Sequence, residues 1–386
     1  MTSNMMIKKR KLPPNSSPSS SKPIPRNIII AIFSKLPVKS LVRFKSLAKF
    51  CSDIITDPSF AAIHKPIHIP KPGLLITCST KLQSSQMFFV ADQNGGAVAI
   101  CLKVPPRFSR YTTQSTNGVV CMDFGIRATV CNPSTGQAVT LNDIVPVNSP
   151  VAACTSFCVN FIGFDPKNKQ YKVLNSWGKY KESDTVYRVY TINGPKEWRK
   201  IEYKGPSYYA QRECLCINGI IFFRGWLSLG SYEGIAVLIC FNVETEKIRA
   251  INLPRGAPSH VETSCLIRLA GRLAIVDYQF KTDDYCFWVL EDFGREIWTQ
   301  HSINFPKILK QTSSGQNYVV AGSIDTGEIM MVPQCLCTPF FVYYYDLVRA
   351  KFRRVKVTGL PEYDSFDLSS NSVFVTNYVE NIQPLP

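Results

Sequence analysis

The sequence predicts an α+β chain of two domains, in which a small helical head precedes a much longer body of β-strands. Two periodicities predict this division. Between residues 24 and 60, apolar side chains recur at steps of three and four, the period of one helix face. From about residue 66 onward, short runs with period-two alternation are separated by Gly, Asn, Asp and Pro. With 386 residues, 45% of them hydrophobic, the chain is long enough to bury a large core.

The head is predicted to start near Pro25, because proline suits the first turn of a helix, where its missing N–H would be unpaired anyway. Apolar residues at helical spacing continue to Leu36, and Pro37 ends this first helix. Ser40 is the predicted N-cap of a second helix that runs to about Thr56.

Asp57-Pro58 stops the second helix, so that two or three helices occupy 37 residues. A unit of this size buries too little apolar surface to be stable alone. Six consecutive apolar residues at positions 28–33 also leave side chains facing outward. Either the following domain or a partner protein is expected to cover them.

The body repeats two elements. A turn followed by an apolar strand recurs with 101, 52 and 56 residues between successive glycines, at Asn117-Gly118, Asn218-Gly219, Ala270-Gly271 and Thr326-Gly327. A strand, a turn and a strand carrying Lys or Arg recur at residues 130–139, 189–201, 240–251, 289–303 and 345–357. A period near 50 residues is typical of a kelch-like β-propeller, in which each unit is one blade. Five blades are clear; residues 74–102 and 372–378 supply one or two more, and the tail is expected to close the ring against the first blade.

The net charge of +16 is concentrated at the N-terminal end. Residues 1–65 contain 12 Lys and Arg against two acids, whereas the other 321 residues contain 32 against 26. A basic head is steered toward an acidic partner. Because the body is only mildly basic and carries no RNP, zinc-finger or basic-helix signature, nucleic-acid binding is not expected.

Residues 1–22 are predicted to form a disordered arm, since the basic run at 8–11 is followed by Pro13-Pro14 and a serine-rich stretch. The basic run is a candidate nuclear localisation signal, so the expected location is the nucleus, the cytoplasm or both. No secretory signal occurs, and the apolar runs are far shorter than the roughly 20 residues that span a bilayer. Membrane association is therefore not expected.

The 14 cysteines and four histidines show no metal-binding or catalytic spacing. Cys214 and Cys216, like Cys335 and Cys337, are predicted to share one face of a strand, and the cysteines are predicted to be reduced, buried thiols. No Ser-His-Asp, paired-carboxylate or HExxH arrangement is visible. A non-catalytic protein without metal or cofactor is expected, and a propeller enzyme is disfavoured.

The head resembles an F-box, the adaptor-binding module of SCF-type ubiquitin ligases. The resemblance rests on Ile24-Pro25, the LPVKSL sequence at residues 36–41, Arg43-Phe44-Lys45, Asp57-Pro58 and Phe60. It implies a three-helix F-box over residues 23–65 that binds a Skp-family adaptor and, through it, a cullin. The adaptor-binding residues that it implies are Ile24, Pro25, Ile28, Ile29, Ile32, Leu36, Pro37, Val38, Leu41 and Phe44.

The head also departs from the usual F-box pattern. Asn27 and Ala31 stand where the family usually has acids, Ala48 where it often has Cys, and Cys51 where it usually has Trp. Loss of a large buried Trp removes an anchor, which predicts a weaker contact with the adaptor than is usual.

The body is similar to the F-box-associated interaction domain that follows plant F-boxes. The matching sequences are NGVVC at residues 117–121, CNPSTG at 131–136, FIGFDP at 161–166 and YKVL at 171–174. The resemblance implies that residues 66–386 form a propeller-like substrate-recognition domain. The whole chain is thus expected to be the substrate-receptor subunit of an SCF-type E3 ubiquitin ligase, with an unknown protein target and an unknown target-binding surface. The alternative is an F-box-like propeller that mediates protein interactions outside a ligase.

Overall fold

A computed structural model describes residues 24–65, 73–78, 86–104, 112–144, 156–179, 185–227, 235–258, 264–279, 284–306, 317–360 and 373–385. The predicted arm at residues 1–22, with its candidate nuclear localisation signal, lies outside these residues. Within them, a helical head precedes six four-stranded antiparallel sheets.

The head contains four short helices rather than the predicted three: α1 Arg26–Phe33, α2 Val38–Lys45, α3 Lys49–Ile55 and α4 Pro58–Ile63. The predicted second helix is broken after Lys45. There the Ser46 hydroxyl donates a hydrogen bond to the Arg43 carbonyl at 2.8 Å, and Ala48 takes an extended backbone conformation. Side-chain hydrogen bonds of this kind compete with the helix ladder. The predicted N-cap Ser40 is wrong, because α2 begins at Val38, directly after Pro37.

Asp57-Pro58 ends one helix, as predicted, and also begins the next. The Asp57 carboxylate accepts a hydrogen bond from the Ser59 backbone N–H at 2.9 Å, and Pro58 occupies the first turn of α4. The hydrogen bonds from Ser59 lower the pKa of Asp57. The two residues therefore cap α4, a fourth helix beyond the two or three predicted from the sequence.

The strands of the body follow in chain order. The first three are β1 Gly73–Cys78, β2 Gln86–Asp92 and β3 Ala97–Val104. The second blade contains β4 Thr112–Thr116, β5 Val119–Asp123, β6 Ala128–Asn132 and β7 Gln137–Thr140, and the third β8 Ser156–Asp165, β9 Gln170–Lys179, β10 Val186–Thr191 and β11 Arg199–Ile201. The fourth contains β12 Tyr208–Ile217, β13 Ile220–Leu227, β14 Ala236–Asn242 and β15 Ile248–Asn252. The fifth contains β16 Ser264–Leu269, β17 Arg272–Gln279, β18 Asp284–Asp292 and β19 Ile297–Ile303, and the sixth β20 Tyr318–Ser323, β21 Ile329–Pro333, β22 Phe340–Asp346 and β23 Lys351–Val357.

The last strand, β24 Val373–Tyr378, completes the first blade. It pairs antiparallel with β1, from Gly73 opposite Tyr378 to Cys78 opposite Val373, and gives the sheet order β24-β1-β2-β3. The predicted closure of the ring by the tail is therefore confirmed. The two incomplete units join into one blade, so the described part of the chain forms a six-bladed propeller.

Neighbouring blades are held together by apolar side chains that pack face to face. Phe161 of β8 stacks on Phe223 of β13, for example, with ring centroids 4.2 Å apart across the third and fourth blades. The twelve cysteines whose side chains the structure describes are free and buried or half-buried, as predicted. Cys335 and Cys337 do not share a strand face, because they lie in the connection between β21 and β22.

The two faces of the propeller differ in their connections. On one face, called here the tight-turn face, the first strand turns into the second in blades two to six, and the third strand turns into the fourth in every blade. The predicted turn Asn117-Gly118 lies here, with φ angles of 45° and 80°, and Ala270-Gly271 repeats it with 48° and 80°. The connections from second to third strand and from blade to blade leave from the opposite face, called the far face.

Candidate adaptor-docking surface and central channel

The head exposes a stripe of apolar side chains along α1. Ile28 and Ile32 lie four residues apart, which places them on one face of the helix, and they are 46% and 49% exposed. Ile24, just before the helix, is 59% exposed. These three isoleucines form the α1 stripe. Contiguous exposed apolar surface of this kind marks a site of interaction.

Of the other predicted adaptor-binding residues, some lie at the surface of the head and some lie in its core. Pro25 and Pro37 are exposed, whereas Ile29, Leu36 and Phe44 are half-buried. Val38 and Leu41 are buried, with 2% and 0% of their surface exposed, in the apolar core of the head. Val38 and Leu41 therefore contribute to the packing of the head and not to its exposed surface.

Three further apolar side chains of the head are at least half exposed, namely Leu47, Phe50 and Ile63. In the sequence, Leu47 follows Leu41 and Phe44 at steps of three, and this spacing predicts that it belongs to the apolar series of the second helix. The break between α2 and α3 turns it outward, because Leu47 lies in that break. Cys51, at the position where Trp is usual, is buried in the core of the head.

The surface of the head is basic. Residues 24–65 carry seven Lys and Arg against two acids. Arg26, Lys35 and Lys39 lie on or beside the helices that carry the predicted contact residues, and all three side chains are exposed. An apolar stripe with a basic surround is complementary to an apolar groove with an acidic rim.

The centre of the propeller holds a cavity of about 1270 Å³, lined mainly by β4, β12, β16, β20 and β24. Its charged lining residues are Arg212, Glu213, Arg268 and Asp325. Two of these residues are already engaged in ion pairs. Arg212 donates to the Asp123 carboxylate at 3.0 Å, and Glu213 accepts from Arg224 at 2.5 Å.

Asp123 is the centre of a buried polar network between blades. Its carboxylate accepts hydrogen bonds from Asn160 Nδ2 at 2.7 Å and from Gly125 N–H at 3.0 Å, besides that from Arg212. Gln114 donates to the Asn160 carbonyl at 3.1 Å, so the network joins the second, third and fourth blades. Burial raises the pKa of Asp123 to about 6.

The thiols that line the channel are poor nucleophiles. Cys214, Cys216 and Cys265 all lie along it, and burial raises the pKa of each. Because the thiolate is the reactive form, these cysteines stay protonated and inert at neutral pH. In the described ranges, no three His, Cys, Asp or Glu side chains are grouped so as to hold a metal ion.

Residues 74–379 match the family described as the F-box associated beta propeller domain. The chain belongs to this family. The match covers all six blades of the propeller, and the resemblance of the body to F-box-associated domains is confirmed. No helix among the described residues is long and apolar enough to cross a membrane.

Proteins similar to this F-box-family chain include three from Arabidopsis thaliana. F-box protein At1g30790 is 28% identical over 89% of this chain and 92% of its own length. F-box protein DOR is 27% identical over 94% of each chain, and F-box protein At5g65850 is 28% identical over 97% of this chain and 94% of its own.

The solved structures that it resembles are distant. A fungal lectin from Aleuria aurantia, described as a six-bladed β-propeller, aligns with 11% identity and a TM-score of 0.40 over 75% of this chain and 97% of the lectin. A periplasmic gluconolactonase from Pseudomonas aeruginosa aligns with 10% identity and a TM-score of 0.39 over 80% of this chain and 99% of that protein. The blade count here rests on the strand pairing itself.

Proposed function

We propose that this protein is the substrate-receptor subunit of an SCF-type E3 ubiquitin ligase. In this role the head binds a Skp-family adaptor, the adaptor links the chain to a cullin, and the propeller binds a target protein. The observation that carries the proposal is the exposed α1 stripe on the head of a chain that belongs to the F-box-associated family.

The stripe is suited to burial against a partner. Ile28 and Ile32 are each about half exposed. Burying the remaining half of two isoleucines stabilises a complex by about 2 kcal/mol in total. A basic surround speeds association with a partner whose surface is acidic, and this is the character that the F-box resemblance implies for Skp-family adaptors.

The target is proposed to bind on the far face of the propeller or at the channel mouth there. This proposal follows from the position of the head, whose core contains Ile382 from the segment that follows β24. That segment crosses the tight-turn face of the second and third blades, where it bonds to Asn117 and Asn193. Part of the tight-turn face is therefore already occupied by the chain itself.

The chain contributes binding and position to the reaction, and other subunits supply the ubiquitin chemistry. Holding a target lysine near a charged ubiquitin makes the transfer effectively intramolecular, which raises its rate without any catalytic group on the receptor. The target is proposed to be a protein of the nucleus or the cytoplasm, with no nucleic-acid partner.

A titration of the full chain with a purified Skp-family adaptor tests the proposal. The double variant Ile28→Asp with Ile32→Asp should weaken binding at least about 30-fold, which corresponds to about 2 kcal/mol. Ile297→Asp is the matched control, because Ile297 is also about half exposed but lies on β19 of the propeller. Equal affinity of the double variant and the wild type would overturn the docking surface. Adaptor binding without an associated cullin would favour an interaction module outside a ligase.

A further inference from the structure

The segment after the last strand, residues 379–385, runs across the tight-turn face instead of leaving the propeller. We call this segment the strap. It lies on the second and third blades, over the turns that carry the NGVVC and CNPSTG sequences singled out above. The strap also reaches the head.

Asn381 is the main polar anchor of the strap. Its backbone N–H donates to Ser134 Oγ at 3.0 Å, and its side-chain amide donates to the Asn117 carbonyl at 2.8 Å and to the Tyr171 hydroxyl at 2.5 Å. Asn132 Nδ2 donates in return to the Asn381 carbonyl at 3.0 Å. Asn381 is thus bound by residues from three of the four short sequences that indicated the family, namely NGVVC, CNPSTG and YKVL.

The rest of the strap is bound along its backbone. Asn132 Nδ2 also donates to the Gln383 carbonyl at 3.1 Å, and Asn193 Nδ2 donates to the Pro384 carbonyl at 2.8 Å. Gln383 Nε2 donates to the Lys169 carbonyl at 3.2 Å. Because side chains that lie far away in the sequence bind these carbonyls, the strap has one defined path across two blades.

Two apolar side chains of the strap belong to different cores, one in the head and one in the propeller. Ile382, 6% exposed, belongs to the buried core of the head together with Leu41 and Ile55. Leu385 belongs to the core between the second and third blades. Among the described residues, Ile382 is the one member of the head's apolar core that lies outside residues 29–61. The strap therefore links two cores that are otherwise separate.

The close approach of the strap depends on Gly118. A Cβ atom at this position would collide with the Val379 carbonyl oxygen and would lie 2.7 Å from the Asn381 Cβ. Gly271 occupies the equivalent turn of the fifth blade with the same φ of 80°, and a Cβ there would meet nothing within 4 Å. The turn requires a left-handed backbone conformation at both glycines. At Gly118 the strap adds a second requirement, because it leaves no room for a Cβ atom.

We infer that the strap locks the head onto the propeller in one orientation, and that Asn117, Gly118, Asn132, Ser134 and Tyr171 form its binding site. The inference rests on the proposed function, because a fixed head orientation holds the far face at a constant position relative to the adaptor. These residues are therefore positioning residues for ubiquitin transfer. They contact the chain's own C-terminal segment, and the target is bound elsewhere.

Hydrogen exchange of the full chain tests the lock directly. Gly118→Ala should speed hydrogen exchange in the strap, α2 and α3 at least tenfold. Exchange in the first, fourth, fifth and sixth blades should stay at the wild-type rate. Gly271→Ala carries the same backbone strain without the collision and should exchange like the wild type in these segments. Ile382→Ser leaves the turn intact and should reproduce the faster exchange in the head. Unchanged exchange of the head in both Gly118→Ala and Ile382→Ser would overturn the inference.

Ubiquitin transfer distinguishes a positioning role from a merely structural one. In a ligase reconstituted with the adaptor, a cullin and charged conjugating enzyme, the lysines modified on the receptor itself are mapped. The wild type and Gly271→Ala should be modified at the same restricted set of lysines. Gly118→Ala should be modified at additional lysines outside this set. Its affinity for the adaptor should stay within twofold of the wild-type value. An identical set in all three would overturn the positioning role. Failure of the wild type to bind the adaptor would instead refute the proposed function and leave the exchange result standing.

Discussion

Replacing Gly163 by Ala should destabilise the propeller, because this glycine lies where the third blade packs on the fourth. A Cβ at Gly163 would lie 2.6 Å from Val243 Cγ2 and 2.7 Å from Ile221 Cγ1. Real Cβ atoms do not approach so closely, so the neighbours have to move. Both neighbours are β-branched, which restricts their rotamers, and both are fully buried.

The expected loss follows from this geometry. Overpacking a filled core by a single methyl group costs about 1–3 kcal/mol. Gly178→Ala is the matched control, since Gly178 lies on the adjacent strand β9 and its nearest neighbour would be 3.4 Å away, an ordinary contact. This control should be neutral or stabilise by up to about 1 kcal/mol through the lower entropy of the unfolded chain.

Urea unfolding of the two variants and the wild type, followed by tryptophan fluorescence, measures the difference. Gly163→Ala should unfold at lower urea, with a free energy of unfolding about 1–3 kcal/mol below the wild type. Equal stability of Gly163→Ala and Gly178→Ala would refute the packing that the structure assigns to this interface.

Three further predictions concern the head and the polar network. Leu41→Ala should lower the stability of the head by about 2–5 kcal/mol, seen as faster hydrogen exchange in α2 and α3 without a change in the fifth blade. Adaptor binding should weaken as salt is raised from low to physiological concentration, since the basic surround is screened; a salt-independent dissociation constant would contradict the charge argument. Because the pKa of Asp123 is raised from 3.8 to about 6 by burial, the folded state holds this proton more tightly than the unfolded chain. Stability contributed by this group therefore falls as pH rises from about 4 to about 6, by about 3 kcal/mol, and Asp123→Asn should remove that part of the slope in pH-dependent unfolding.

The blades could be predicted because their signals are local. Asn117-Gly118 and Asn218-Gly219 can adopt positive φ at both central positions of a tight turn, and the flanking apolar runs fix the register. The closing strand could also be predicted, because residues 372–378 show a strand pattern that follows the last complete blade and belongs to none of the five clear blades.

Other features depend on contacts between distant residues and were missed. The break between α2 and α3 coincides with a hydrogen bond from the Ser46 hydroxyl to the Arg43 carbonyl, and the role of Asp57 as a cap depends on the short helix α4 that follows it. The strap shows neither the helical nor the strand periodicity of apolar residues. Its partners Asn132 and Tyr171 lie more than 200 residues earlier in the chain, so the sequence does not indicate that they meet. The sequences that indicated the family were visible, but the segment that they bind was not.

The most direct test of the central claim is the isolation of the tagged full chain from plant cell extract, with quantification of the proteins bound to it. The proposed function predicts that a Skp-family adaptor and a cullin are recovered together in near-equal amounts with the wild type, and that both are lost with Ile28→Asp and Ile32→Asp combined. Recovery of neither protein with the wild type, or undiminished recovery of both with the double variant, would contradict it.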